Sequence, residues 1–265
     1  MIELPADPTA PPAPLPIAKT LGAGCLAWVW YLVVSAVVGL GAFVLLTPSG
    51  PPVDIYHHGP GGMEVDVDAL YRSIRPLKSA GEIADLFALP AGSLLVLLVA
   101  GRLGVARREL LALRWPSWRQ ALLWTAAFAA LNFGYPYAAR LVGFIPNPQG
   151  YLVREYPHQP MLPVFWLCGV VLGPVFEELF FRGLLFGGLA RSALGAWPAL
   201  ALVSLLFAAA HFPKDLFYFG NVLAYGLLFA AARFATGSLY LAMGLHSAAN
   251  FVATAHVAFY LYTRS

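Results

Sequence analysis

One run of thirty residues, Met161–Ala190 (MLPVFWLCGVVLGPVFEELFFRGLLFGGLA), is almost entirely apolar and yet carries charges in its middle. A helix that crosses a membrane needs about 20 apolar residues, so the run is long enough to span one. Its charged residues are Glu177, Glu178 and Arg182. An ionisable side chain at the centre of a bilayer costs about 2.5–3.5 kcal/mol, so these residues are expected to have a function. The run therefore predicts a membrane helix that carries part of a functional site.

The composition of the whole chain favours the same class of protein. Of the 265 residues, 60% are hydrophobic and only 11% are charged, whereas soluble domains have about 25% charged residues. The net charge of +3 is small and comes with no clustered basic run, which argues against a nucleic-acid partner. The two cysteines, Cys25 and Cys168, lie in apolar runs and are expected to be buried hydrophobes rather than a disulfide or a metal pair.

The hydrophobic runs predict an all-α, polytopic transmembrane bundle of about seven helices, within a range of six to eight. The predicted spans are Leu21–Leu46, Leu86–Leu103, Trp118–Phe144, Met161–Ala190, Leu194–His211, Leu216–Phe234 and Ser238–Tyr262.

The connections between the runs predict the organisation and orientation of the chain. Residues 1–20 are rich in proline and predict a disordered tail, and residues 47–82 predict an outward-facing loop. Arginines cluster between the second and third runs, which predicts that this connection and the N-terminus lie on the cytoplasmic side. The expected membrane is a bacterial inner membrane. The cluster consists of Arg102, Arg107, Arg108, Arg114 and Arg119.

Helical spacing separates the two adjacent glutamates. Glu178 and Arg182 are four residues apart, so they share a helix face and can form an ion pair. Glu177 points about 100° away from Glu178 around the helix axis. We therefore expect Glu178 and Arg182 to be a structural pair and Glu177 to be the free carboxylate that faces the bundle interior.

Two later runs supply further polar groups at matching positions. His211 ends the fifth run, and His246 and Asn250 lie four residues apart on one face of the seventh. Glu177 and His211 lie about 21 and 24 Å from the turn that joins their helices, at about 1.5 Å per residue, so they are expected at similar depth. His246 is shallower if its helix begins at Ser238, unless that helix is tilted or begins inside the bundle.

This set of side chains suits amide hydrolysis. Glu177 and His211 would activate water, either directly or through a bound metal, and His246 and Asn250 would donate hydrogen bonds to the oxyanion. Two histidines and a carboxylate are a possible zinc set, but the chain has no H-E-x-x-H motif. A serine mechanism is disfavoured because no G-x-S-x-G stands in a run, and an aspartyl mechanism because the aspartates lie outside the runs or at their edges.

Three motifs in order carry a family resemblance: EELFFR (Glu177–Arg182), FAAAH (Phe207–His211) and HSAAN (His246–Asn250). They resemble the E-E-x-x-x-R, F-x-x-x-H and H-x-x-x-[ND] motifs of the CAAX protease and bacteriocin-processing (Abi) family of intramembrane endopeptidases. This family includes the prenyl-protein endopeptidase that removes the last three residues of a CAAX box. The resembling region is about Val164–Ala255.

The resemblance implies a helical bundle with a cavity open to the membrane and the cytosol, and it implies roles for the motif residues. Glu177 and His211 would activate water, and His246 and Asn250 would stabilise the oxyanion. Glu178 and Arg182 would support them. The resemblance leaves the cofactor open, as either none or a divalent metal such as zinc held by Glu177, His211 and His246. Residues 161–262 would be the catalytic membrane core, and residues 21–160 would be N-terminal membrane helices.

We therefore expect an intramembrane peptidase, of glutamate or metallo type, that acts on a membrane-associated and possibly prenylated protein or peptide in the lipid bilayer. The alternative is a non-catalytic scaffold, immunity factor or transporter that uses the same polar core for binding. Two polar residues of the sixth run, Asn221 and Tyr225, are open candidates for the lining of the cavity.

Overall fold

A computed structural model describes residues 14–48, 54–59, 62–141, 143, 153, 156–211 and 216–263. The predicted tail lies outside these residues up to residue 13, whereas its last four residues form the first turn of α1. The protein is all-α apart from one short antiparallel hairpin. In chain order, the elements are α1 (Ile17–Leu46), β1 (Tyr56–Gly59), β2 (Gly62–Val65), α2 (Val67–Ala100), α3 (Arg107–Leu110), α4 (Trp118–Leu141), a 3-10 turn (Tyr156–His158), α5 (Leu162–Leu189), α6 (Ala196–Ala210), α7 (Leu216–Thr236) and α8 (Leu239–Tyr262).

Each of the seven predicted apolar runs contains a helix. Of the helices in the described part of the chain, four are long and apolar enough to cross a membrane, and the bounds of these stretches are Ile17–Leu46, Ala69–Ala100, Leu162–Leu189 and Leu216–Thr236. Helix α6 is apolar but has only 15 residues, and α4 and α8 contain more polar residues. The all-α membrane bundle is therefore confirmed, and the number of spans stays a prediction.

The predicted outward loop over residues 47–82 is wrong in its second half. Helix α2 begins at Val67 and not near Leu86, because the side chain of Asp66 caps it by accepting a hydrogen bond from the Ala69 backbone N–H at 2.9 Å. The first turns of α2 are too polar to register as an apolar run, yet they bury Ala80 and Ala84 on one face. The loop also contains the β1–β2 hairpin, in which Tyr56 pairs with Val65.

Helix α5 carries the charged motif and is continuous but not uniformly α-helical. Two π-helical segments, Cys168–Leu172 and Leu179–Leu185, flank an α-helical stretch, Gly173–Glu178. Segments of π-helix are rare and frequent at functional sites, because they change the direction in which neighbouring side chains point. Here both glutamates stand at the end of the α-helical stretch, immediately before the second π segment.

The arginine-rich connection between α2 and α4 folds back into one end of the bundle. Leu110 and Leu111 are fully buried, and the Leu110 carbonyl oxygen accepts a hydrogen bond from the Arg233 guanidinium at 2.9 Å. The Leu239 backbone N–H donates to the Ala112 carbonyl oxygen at 2.8 Å. Helix α8 therefore begins on this connection, inside the bundle, as the depth of His246 required.

The start of α1 and the end of α5 lie at the same end of the bundle. The Leu15 backbone N–H donates to the Arg191 carbonyl oxygen at 3.0 Å, and the Arg191 guanidinium donates to the Glu109 carbonyl oxygen at 3.1 Å. We call this the arginine-rich end. Helices α1, α4, α6 and α8 start at this end and finish at the opposite end of the bundle.

Close packing at the arginine-rich end requires a glycine in α5. A Cβ atom added at Gly187 would overlap the carbonyl oxygen of Leu110 and lie 3.4 Å from the Arg233 guanidinium. A backbone carbonyl cannot move away cheaply, whereas small residues at helix interfaces let backbones approach each other. Gly187 is therefore needed for the contact between α5 and the connection.

We predict that Gly187→Ala destabilises the protein by about 1–3 kcal/mol, the usual cost of overpacking a core. Thermal unfolding in detergent measures the change. Gly41→Ala on the exposed face of α1 is the matched control, since an added Cβ there meets nothing within 4 Å. Equal melting temperatures for the two variants would contradict the assigned contact.

Candidate active site

A buried ion pair stands at the centre of the polar motifs. The Arg182 guanidinium donates to Glu178 Oε1 at 2.8 Å, and both side chains are fully buried. A second guanidinium N–H donates to the Gly226 carbonyl oxygen of α7 at 3.0 Å. The guanidinium also lies 4.1 Å from the centre of the Phe207 ring of α6, in cation–π geometry. The predicted pair is confirmed, and it additionally joins α5 to α6 and α7.

Glu178 has a second partner that the sequence did not predict. Its Oε1 atom also lies 2.9 Å from Nδ1 of His246 on α8. A carboxylate held by an arginine can only accept, so Nδ1 of His246 carries a proton. The imidazole is enclosed by two rings, stacking on Phe229 at 5.1 Å and meeting the edge of Phe207 at 5.6 Å. No spacing rule within one helix could have revealed a contact between α5 and α8.

Glu177 lies between the two histidines of the motifs. Its Oε2 atom is 3.8 Å from Nε2 of His211 and 3.9 Å from Nε2 of His246. Its side chain is 28% exposed, in contrast to the buried Glu178. The expected proximity of Glu177 and His211 is found, and His246 lies at the same depth because α8 begins inside the bundle.

The hydrogen bond of His211 defines the direction of its ring. Nδ1 of His211 lies 2.8 Å from the Phe207 carbonyl oxygen, one turn earlier in the chain. Because a carbonyl oxygen only accepts, Nδ1 carries the proton and Nε2 faces Glu177. Both imidazoles thus hold a proton on Nδ1 and direct Nε2 towards the same carboxylate.

The side chain of Asn250, which was predicted to donate to an oxyanion, forms a hydrogen bond to the backbone of α5. Its Nδ2 donates to the Gly169 carbonyl oxygen at 2.7 Å, in the first π segment of α5. One amide hydrogen is therefore engaged with the backbone, and the second hydrogen is the one left for a ligand. Asn250 still lines the same cavity as His211 and His246.

This cavity has a volume of about 580 Å³, within the range of ligand sites. Asn221 and Tyr225 line it, so both open candidates belong to its wall. Its other lining residues come mainly from α4, α7 and α8: Asn132, Phe133, Pro136, Arg140, Phe217, Tyr218, Val222, Phe229, Ala249, Val252, Ala253 and His256, with Phe207 from α6. Arg140 and His256 are exposed near the ends of α4 and α8, so the cavity opens away from the arginine-rich end.

The three proposed metal ligands do not fit a zinc ion in this arrangement. Two ligand atoms at about 2.0–2.1 Å from a tetrahedral zinc are about 3.3 Å apart, whereas the distances from Glu177 Oε2 to the imidazole nitrogens are 3.8 and 3.9 Å. Within the described ranges, no group of three or more His, Cys, Asp or Glu side chains could hold a metal ion. Glu177, His211 and His246 are therefore available as acid, base and hydrogen-bonding groups.

Together, the fold and the site define a membrane-embedded helical bundle with a buried ion pair and a Glu–His cluster beside a cavity. Residues 159–252 match the family described as "Type II CAAX prenyl endopeptidase Rce1-like". This segment of the chain is similar to that family, in agreement with the resemblance of the motifs. The match covers α5, α6, α7 and part of α8, and leaves α1, α2 and α4 outside.

Part of the chain is also similar to a bacterial protein of uncharacterized activity. The chain is 28% identical over 124 residues to the uncharacterized protein YyaK of Bacillus subtilis (strain 168). The aligned part is 43% of this chain and 40% of the length of that relative. No solved structure matches the chain significantly.

We predict that Arg182→Met destabilises the protein by about 3–5 kcal/mol, because it leaves Glu178 as an uncompensated buried charge. The double variant Glu178→Gln with Arg182→Met is expected to recover part of this loss, since no buried charge remains. Thermal unfolding in detergent measures both. Arg119→Met, at the exposed start of α4, is the control and should change stability by less than about 0.5 kcal/mol.

The double variant also separates two roles of Glu178, namely its charge pairing with Arg182 and its hydrogen bond to His246. It lacks the carboxylate that holds His246, so it should regain folded yield without regaining any activity of the site. A double variant that is no more stable than Arg182→Met would contradict the role of the pair.

Proposed function

We propose that the protein is an intramembrane endopeptidase of the CAAX-processing type, which hydrolyses a peptide bond of a membrane-associated protein or peptide. The observation that carries the proposal is the convergence of His211 Nε2 and His246 Nε2 on Glu177 Oε2, at 3.8 and 3.9 Å, beside a cavity. The family of residues 159–252 supports the reaction class. The particular mechanism and the substrate are part of the proposal.

Glu177 and His211 are the groups proposed to activate water. A gap of 3.8 Å is too long for a direct hydrogen bond, and a water oxygen to one side of the pair can reach both atoms. Glu177 Oε2 has no hydrogen-bond partner within the described part of the chain, so it is available to take a proton. The carboxylate would accept one proton from the water while Nε2 of His211 accepts the other hydrogen bond.

His246 and Asn250 are proposed to stabilise the oxyanion. The activated water attacks the peptide carbonyl carbon, and the carbonyl oxygen becomes negatively charged. Nδ1 of His246 already donates to Glu178, so Nε2 can donate only as part of an imidazolium, which the Glu178 carboxylate stabilises. The free amide hydrogen of Asn250 is the second donor. The C–N bond then breaks, and the proton held by Glu177 passes to the leaving amine.

Glu178 and Arg182 are proposed to be positioning residues. Neither is exposed, and Glu178 acts on the reaction through the ring of His246. Carboxylates that hold a functional histidine through its second nitrogen fix the tautomer and orientation of the ring.

The proposed setting is a bacterial inner membrane, with the N-terminus and the arginine-rich end in the cytoplasm. The cavity opens away from that end, so this orientation directs its mouth to the outer side. In this orientation the cavity does not open to the cytosol, in contrast to what the family resemblance implies. The orientation therefore determines from which side of the membrane a substrate enters.

Cysteine labelling tests the orientation. With Cys25 and Cys168 replaced by alanine, we expect Thr47→Cys, after the end of α1, to react with a membrane-impermeant maleimide on intact cells. Arg108→Cys, at the arginine-rich end, should react only after permeabilisation. The reverse pattern would contradict the proposed orientation and would place the mouth of the cavity in the cytoplasm.

Glu177→Gln tests the catalytic role, since glutamine has the shape of glutamate but cannot accept the proton. We expect cleavage to fall by about 10²–10⁴-fold, the contribution of a general base. The assay is mass-spectrometric detection of products from a prenylated peptide and an unprenylated hydrophobic peptide, with purified protein. Glu109→Gln, an exposed glutamate at the arginine-rich end, is the matched control and should retain the wild-type rate.

The same assay with a chelator tests metal dependence, and we expect the wild-type rate to be unchanged. Wild-type cleavage by Glu177→Gln at normal protein yield would refute the role of this residue. Failure of the wild type to cleave either peptide would favour a non-catalytic function of the polar core.

A further inference from the structure

The wall of the cavity carries a positive charge, that of Arg140, which has no role in the proposed reaction. Among the described residues that line it, Arg140 is the only lysine or arginine, and none is an aspartate or a glutamate. The wall also contains the imidazoles of His211, His246 and His256 and the phenols of Tyr218 and Tyr225. The cavity is therefore suited to a ligand that carries a negative charge at the position of Arg140.

Helix α4 directs this cation and an amide to the cavity along one face. Asn132, Pro136 and Arg140 are spaced by four residues, so they lie one above another. The Oδ1 atom of Asn132 accepts a hydrogen bond from the Tyr225 hydroxyl at 2.8 Å. In this orientation the two N–H groups of the amide are left as donors.

Arg140 is available for a ligand. Its side chain is exposed, and none of the ion pairs within the described part of the chain includes it. A guanidinium presents a planar fork of donors that matches a carboxylate in two parallel hydrogen bonds. Arg182, the arginine of the family motif, is fully buried and paired and cannot serve this purpose.

We propose that Arg140 binds the free α-carboxylate at the C-terminus of the peptide that is cleaved, so that the cavity selects substrates by the position of their chain end. The proposal rests on the proposed endopeptidase function. It adds a specificity-determining residue from α4, outside the segment 159–252 that matches the family.

The distance along the bundle limits the length of the released fragment. Arg140 lies about 33 Å from the start of α4, and Asn250 lies about 17 Å from the start of α8, at about 1.5 Å per residue. The difference of about 17 Å is a separation along the bundle axis, and it becomes smaller because α8 starts inside the bundle. An extended chain covers about 3.3 Å per residue, so a segment that runs parallel to the axis needs about five residues to cover this separation.

The experiment compares two peptides that differ only in a free C-terminal acid or a C-terminal amide, with the cleaved bond within five residues of the end. We expect the wild-type kcat/KM to be roughly 10- to 100-fold higher for the acid, as for hydrogen bonds to charged groups. Arg140→Gln should lower the rate for the acid to that for the amide, mainly through KM. Arg140→Lys should give an intermediate preference.

Arg119→Gln is the matched control, because Arg119 is an exposed arginine at the other end of α4 and does not line the cavity. It should keep the full preference for the acid. Binding of both peptides to the Glu177→Gln protein gives a second readout that needs no turnover, and the acid should bind more tightly.

Equal cleavage of acid and amide by the wild type, or a preference that survives in Arg140→Gln, would overturn the assignment of Arg140 and leave the endopeptidase function standing. Absence of cleavage of both peptides, together with equal binding of both, would overturn the two proposals together.

Discussion

The buried contact between Glu178 and Arg182 is the interaction on which the organisation of the site depends. Two ionised groups cannot stay in an apolar helix bundle unless they are paired and hydrogen-bonded. Arg182 meets this requirement by donating to Glu178 and to the Gly226 carbonyl oxygen and by lying on the Phe207 ring. Glu178 meets it by accepting from His246 as well. The ion pair itself lies within α5, and its further contacts to Gly226, Phe207 and His246 connect α5 to α7, α6 and α8.

This arrangement explains why each motif contains the residue types that it does. Phe207 supports the Arg182 guanidinium with its ring and accepts from His211 with its carbonyl oxygen, so it serves two of the motifs at once. His246 is oriented by the buried pair and directs its other nitrogen to Glu177. Gly169, in the first π segment of α5, accepts the hydrogen bond of Asn250, and Arg182 lies in the second π segment. The carboxylate of Glu177 is thereby close to the His246 ring, whose position the buried Glu178 determines.

Predictions from the sequence succeeded where a contact follows from periodicity within one helix. Residues four apart meet on a helix whether or not its neighbours are known, so the pairing of Glu178 with Arg182 could be predicted. Counting along antiparallel helices was also sufficient to match the depth of Glu177 and His211. The start of α2 was missed because its first turns are polar and its cap at Asp66 is a local hydrogen bond rather than an apolar pattern.

By itself, the sequence determined a helical membrane bundle, the ion pair of α5 and the identity of the polar residues in three motifs, because hydropathy and helical periodicity are local properties. The partners of those residues across helices depended on tertiary packing. The hydrogen bond of His246 to Glu178 and that of Asn250 to Gly169 require a particular order and tilt of the helices. The presence of Arg140 in the cavity has the same origin, since α4 lies beside α7 and α8 through contacts that no spacing within α4 encodes.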